Sequence, residues 1–192
     1  MEEMFDAVAR IVRVVDVPVT ADLEHGYRLP PEELIRRLAE TGAVGCNLED
    51  SDPTTGELVE PQPHADYLSA VRGAAERAGI DLVLNARADT RVPAGASNGL
   101  LDQLIDRCRR YRQAGADCVF PIFADPSVVS EIVQAVDAPI AVLYRSGSPT
   151  LAELARLGVA RVSYGPGLHR AAGAFLSRML RAIREGGDPS ES

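Results

Sequence analysis

Apolar residues along this chain follow two alternating rhythms. Where they recur about every 3.6 residues the pattern predicts amphipathic helices. Phe5, Val8, Ile11, Val12 and Val15 form one such stripe, Leu34, Ile35 and Leu38 a second, and Tyr67, Val71 and Ala74 a third. Leu101, Leu104, Ile105, Cys108 and Tyr111 form a fourth, followed by Val128, Ile132 and Val133, then by Leu151, Leu154 and Ala155. A last helix, over 167–185, carries Leu168, Ala172, Phe175, Met179 and Ile183. Between the helices lie short runs that are apolar at nearly every position, 19–21, 43–48, 80–85, 116–122, 140–143 and 159–163. Gly42, Gly79, Gly115 and Gly158 each stand between a helix and such a run, where a left-handed residue closes the helix. Pro18 and Pro139 open two other runs, a strand position that tolerates proline.

Strands that are apolar on both faces imply a parallel sheet covered by helices. The chain contains neither GxGxxG nor GxxxxGK[ST], so an open dinucleotide- or phosphate-binding sheet lacks its usual turn. Polar groups sit instead at the C-terminal ends of the runs: Asp22 and Glu24, Glu49 and Asp50, Arg87, Tyr144 and Arg145, Tyr164. That placement belongs to a barrel, whose chemistry lies at the C-terminal rim. The predicted class is α/β, a TIM-type (β/α) barrel, although a closed barrel takes eight strands and about six are read here. Residues 1–185 form one domain, and 186–192 a polar, frayed tail. Two barrel edges would then lie open, at 18–21 and 160–163, with only Arg161 to blunt pairing with another chain. A homo-oligomer or an aggregation-prone chain is the expectation.

The 192 residues, 46% hydrophobic and 25% charged, suit one globular domain, and a net charge of −8 disfavours nucleic acid and anionic membranes as partners. No apolar run reaches the roughly 18 residues a membrane span requires. The start, Met1-Glu2-Glu3-Met4, has no basic, signal-like segment. Cys46, Cys108 and Cys118 lack metal or disulfide spacing and read as reduced core thiols of a cytoplasmic protein.

The strand ends carry the chemistry. Asp22, Glu24 and Glu49 converge at one rim if their strands are neighbours, and like charges so placed repel unless a cation lies between them. Hard oxygen donors beside Arg87 suit Mg2+, with Mn2+ as an alternative, holding a small anionic substrate.

The segments Pro18-Val19-Thr20-Ala21-Asp22-Leu23-Glu24-His25-Gly26-Tyr27, Asn47-Leu48-Glu49-Asp50, Asn85-Ala86-Arg87-Ala88-Asp89 and Leu157-Gly158-Val159-Ala160-Arg161-Val162-Ser163 resemble, in order and over nearly the whole chain, the isocitrate lyase/phosphoenolpyruvate mutase superfamily. The resemblance implies a (β/α)8 barrel with a magnesium site. It also implies a lyase or mutase that makes or breaks a C–C or P–C bond of a small 2-oxo or carboxy acid through a metal-stabilised enolate. Asp22 matches the direct metal ligand, Glu24 and Glu49 match acids holding the ion partly through water, and Arg87 matches the catalytic, substrate-binding arginine. Members that cleave isocitrate or methylisocitrate carry K-x-C-G-H after the Glu49 strand. Here residues 51–64 hold neither Lys nor Cys, only Glu57, Glu60 and His64 as weak proton-transfer groups, in a segment with the length of a mobile lid. Family barrels also begin with two strands that precede anything seen here, so the resemblance implies a (β/α)8 TIM-type barrel shortened at its N-terminus to about six strands. The alternatives are a catalytically impaired barrel remnant that binds a metabolite or partner, and an oxaloacetate hydrolase or decarboxylase.

Other polar residues have plainer readings. Asp50 reads as a turn former or helix cap, His25, His64 and His169 as surface histidines, and Arg107, Arg109, Arg110 and Arg112 as the outer face of a helix. Ser146 is assigned to substrate binding, although it and Ser148 also fit a solvated loop. Gly165-Pro166-Gly167 fits an anion cradle or a simple turn equally well.

Overall fold

The computed structural model describes residues 1–188. Strands β1 (Thr20–Asp22), β2 (Gly45–Glu49), β3 (Val83–Ala88) and β4 (Cys118–Pro121) form a parallel sheet in chain order. β5 (Ala141–Leu143) and β6 (Arg161–Ser163) pair with each other, also in parallel. A bridge between Val119 and Ile140 joins the two sheets. The helices are α1 (Glu2–Val12), α2 (Pro31–Thr41), α3 (Pro61–Arg77), α4 (Asn98–Gln113), α5 (Val129–Ala135), α6 (Leu151–Arg156) and α7 (Gly167–Arg184).

The helix ends follow from local sequence. Pro31 and Pro61 start α2 and α3, where a missing N–H costs nothing because that group has no intrahelical partner. Thr150 and Glu153 cap α6 reciprocally. Gly42 ends α2 at φ 79°, a conformation that a Cβ would penalise.

Register assigns the faces. Ala21, Cys46, Leu48, Leu84, Ala86, Ala88 and Val119 point outward and are buried under the helices with Leu34, Leu38, Leu68, Val71, Leu104 and Cys108. A fully buried leucine contributes about 1.5–3 kcal/mol, and Leu48, Leu68, Leu84 and Leu104 are all at 0% exposure. All three cysteines are buried and unpaired, as the sequence predicts. The opposite face carries Thr20 and Asp22, then Gly45, Asn47 and Glu49, Val83, Asn85 and Arg87, and finally Cys118 and Phe120. Phe120 and Cys118 pack there with Ala141, Ile122 and Leu143 in a small second cluster.

The strand count agrees with expectation, but the closed barrel does not form among the described residues. Closure takes eight strands, and six are present. β1 and β6 do not pair with each other, and between them Arg161 Nη2 donates to Thr20 Oγ1 at 3.3 Å. Val83, on the inner face, is consequently 44% exposed. The last helix is also corrected. Its stripe was expected to reach the core, yet no residue of α7 is buried, and Leu168, Phe175, Leu176, Leu180 and Ile183 lie in solvent. Residues 186–188 of the tail follow α7, and its remainder lies outside the described residues.

Candidate active site

β1, β2 and β3 end side by side and deliver their polar residues to one rim. Asp22 is level with Asn47, and Glu49 with Arg87. The pairing of β1 with β2 continues past Asp22, because the Glu49 N–H donates to the Glu24 carbonyl at 2.8 Å. The turn that follows is unusual. Glu24, Tyr27 and Arg28 have φ of 52°, 52° and 57°, in the left-handed region that non-glycine residues rarely occupy. Gly26, at φ 82°, meets the Tyr67 hydroxyl so closely that a Cβ there would lie 2.2 Å from it. Such strain clusters where a site dictates the backbone, and here it falls on the turn that carries Glu24 and directly follows the strand end with Asp22.

Arg87 is the hub. Its Nη1 lies 2.5 Å from Glu49 Oε2 and 3.9 Å from Asp22 Oδ2, while Nε and Nη2 bond the Asp89 carboxylate at 2.6 and 2.8 Å. Burial opposes its charge, but Asp89, Glu49 and Asp22 together raise its pKa above the ordinary value. Burial, reinforced by Asp89, Asp22 and Glu24 and only partly offset by Arg87, pushes Glu49 up to about 7. The site thus holds more negative charge than one guanidinium neutralises.

The donor chemistry fits a hard divalent ion, for Asp22, Glu24 and Glu49 offer only carboxylate oxygens and Glu49 gains by a nearby cation. They do not form a ready-made cage: among the described residues no three acidic, histidine or cysteine side chains lie close enough together. Asp22 and Glu24 are exposed, and one Asp22 oxygen accepts the Glu24 N–H at 3.1 Å. Ser146 lies in the exposed loop after β5 and is not part of the Arg87 cluster.

Several plain readings are corrected. Asp50 is no turn former. It is completely buried and accepts from Tyr111 Oη at 2.6 Å, Arg107 Nη1 at 3.0 Å and the Asp89 N–H at 2.8 Å. Burial raises its pKa despite these donors. Arg107 is therefore not on an outer face, and it also donates to the Val59 carbonyl at 2.7 Å. His64 is buried on α3 against the Tyr111 ring, and burial, aided by Arg107, lowers its pKa to about 4. His25 is half-buried, while His169 is exposed as predicted. The segment expected to be a lid is a short hairpin. Ser51 bridges Leu58, and the Val59 N–H returns to the Asp50 carbonyl at 2.8 Å. Arg28 Nη2 clasps its tip at Asp52 Oδ2 (3.2 Å) and Thr54 Oγ1 (3.1 Å).

The model of the phosphoenolpyruvate phosphomutase family matches residues 1–184. The chain belongs to the phosphoenolpyruvate mutase family. Among solved structures, a candidate phosphonomutase of Burkholderia cenocepacia is 40% identical with a TM-score of 0.86, over 94% of this chain and 77% of that one. An uncharacterised Mycobacterium tuberculosis protein is 32% identical over 94% of this chain and 67% of its own length. Oxaloacetate decarboxylase of Pseudomonas fluorescens is 27% identical over 96% of this chain and 64% of its own. The chain thus spans about two thirds of the length of these curated relatives. No helix of the described residues is long and apolar enough to cross a membrane.

Proposed function

We propose that this chain is a divalent-metal-dependent lyase or mutase of the phosphoenolpyruvate mutase type, acting on a small 2-oxo or carboxy acid. The observation that carries the reading is the single guanidinium of Arg87 set between Glu49 and Asp22 and anchored by Asp89. Asp22, Glu24 and Glu49 would hold Mg2+ or Mn2+, which supplies Lewis-acid polarisation of the substrate's oxo oxygen when bound. Arg87 would bind the carboxylate or oxo oxygens and stabilise negative charge as it develops there, the role fixed donors play in transition-state stabilisation. Asn47 and Asn85, hydrogen-bonded at 2.6 Å beneath the pair, keep one amide nitrogen and one oxygen unsatisfied that can meet a water or ligand atom. Ser146 remains a substrate-binding assignment for the β5 side of the rim.

A second reading is decarboxylation or hydrolysis of oxaloacetate. It is favoured by the likeness to a named oxaloacetate decarboxylase and by the thiols, all three of which are buried and none of which lies in residues 51–64. The partner expected from the sequence is a second copy of the chain. The bare apolar stripe of α7 supports it, and so does charge: α7 carries Arg170, Arg178, Arg181 and Arg184 without one acid, on a chain of net charge −8. The cytoplasm is the proposed location.

The test is turnover of oxaloacetate and 3-phosphonopyruvate with Mg2+ or Mn2+. Conversion of 3-phosphonopyruvate to phosphoenolpyruvate, or of oxaloacetate to pyruvate and carbon dioxide or to oxalate and acetate, that disappears with chelator and in Arg87→Ala supports the assignment. No turnover and no oxo-acid binding would leave the impaired-remnant reading.

A further inference from the structure

Asp89 enters the proposed function only as a contact of Arg87, yet its surroundings are more fully built than those of any predicted ligand. Its side chain is 6% exposed. Oδ1 accepts Arg87 Nε at 2.6 Å and Oδ2 accepts Arg87 Nη2 at 2.8 Å, the parallel two-bond geometry that fixes the plane of a guanidinium. With those edges occupied, Nη1 is the end turned toward Glu49 and Asp22. Oδ2 has a second donor, Ser51 Oγ at 2.6 Å, from the first residue of the hairpin. The Asp89 N–H is held in turn by Asp50 Oδ1 at 2.8 Å, and Asp50 is locked by Tyr111 and Arg107. Arg107 also grips the far end of the hairpin at the Val59 carbonyl.

We propose that Asp89 is the positioning residue for Arg87, and that Ser51 makes this positioning depend on the seating of the 51–58 hairpin. One carboxylate oxygen serves both the arginine and the hairpin, so lifting the hairpin removes a hydrogen bond from the group that aims the guanidinium. The seating of the hairpin and the aim of the Arg87 guanidinium are thereby coupled through the Asp89 carboxylate. The inference rests on the proposed role of Arg87 for its functional meaning, but the positioning itself can be measured without any substrate.

The experiment follows the Arg87 Nε–H signal by NMR in the full chain, identified by its loss in Arg87→Lys. In the wild type the proton should exchange slowly. Ser51→Ala, a mild change that preserves the fold, should speed exchange by about tenfold, the effect of losing one charge-assisted bond. Asp89→Asn should merge the signal with those of exposed arginines. A parallel titration uses oxalate with Mg2+, a probe for a planar dianion. Asp89→Asn should weaken oxalate about tenfold or more while Mg2+ alone binds within about threefold of wild type. An Arg87 signal unchanged in Asp89→Asn would overturn the positioning role, and one that moves in Asp89→Asn but not in Ser51→Ala would overturn the coupling. If the signal responds as stated while the wild type fails to bind oxalate, the positioning stands and the proposed function falls.

Discussion

Arg107 Nη1 lies 3.0 Å from the Asp50 carboxylate, where the two side chains are 11% and 0% exposed. A buried ion pair of this kind is costly to break, because removing one partner strands the other's charge. Arg107→Met should therefore destabilise the fold by about 3–5 kcal/mol, and adding Asp50→Asn should restore part of that loss. Urea unfolding of the two variants checks this. A loss under about 1 kcal/mol in the single variant would mean that the pair is not buried as described.

His64 makes stability depend on pH. Its folded pKa of about 4 lies below the ordinary 6.5, so the unfolded chain binds the proton more readily. Stability is complete above pH 6.5 and falls as the pH drops toward 4. At pH 5 the loss from this group is about 2 kcal/mol, from 1.36 kcal/mol per pH unit. His64→Phe, which keeps a ring against Tyr111, should remove that share of the difference between unfolding midpoints at pH 7 and pH 5. An unchanged difference would assign the acid sensitivity to other groups.

These two residues show where the sequence was legible and where it was not. The order of strands and helices followed from apolar spacing and from glycines such as Gly42, because both are local signals. Arg107 was also readable in principle: it stands three residues after Leu104 and four before Tyr111, on the stripe that turns inward. Charge suggested solvent, whereas the decisive fact was a carboxylate 57 residues away in the chain. His64 likewise lies four residues before Leu68 on the buried face of α3. Asp22, Glu49 and Arg87 were placed together by motif and neighbouring strand ends. Asp89 escaped because its role lies in whom it touches. The exposure of α7 had no local signal, since an apolar stripe does not say which chain covers it.

Isocitrate and 2-methylisocitrate should not be cleaved, since residues 51–64 offer no thiol and Cys46, Cys108 and Cys118 are buried elsewhere. A well-placed proton-transfer group accounts for about 10²–10⁴ in rate, so its absence should be plain in an assay for released glyoxylate or pyruvate. Cleavage at rates typical of an efficient lyase would refute this.

The bare stripe of α7 should make the chain associate. Light scattering should give a mass above the 20.5 kDa of one chain, and Phe175→Asp with Leu180→Asp should lower it to the monomer. A wild-type monomer with normal solubility would contradict a second copy as the partner.

The central claim is that Asp22, Glu24 and Glu49 form a divalent-ion site beside Arg87. Calorimetric titration of Mg2+ or Mn2+ into the wild type, Asp22→Ala and the Asp22→Ala, Glu49→Ala double variant tests it most directly. The account predicts one site in the wild type, lost in Asp22→Ala and in the double variant, with both variants still folded. Equal binding by the wild type and the double variant would contradict it.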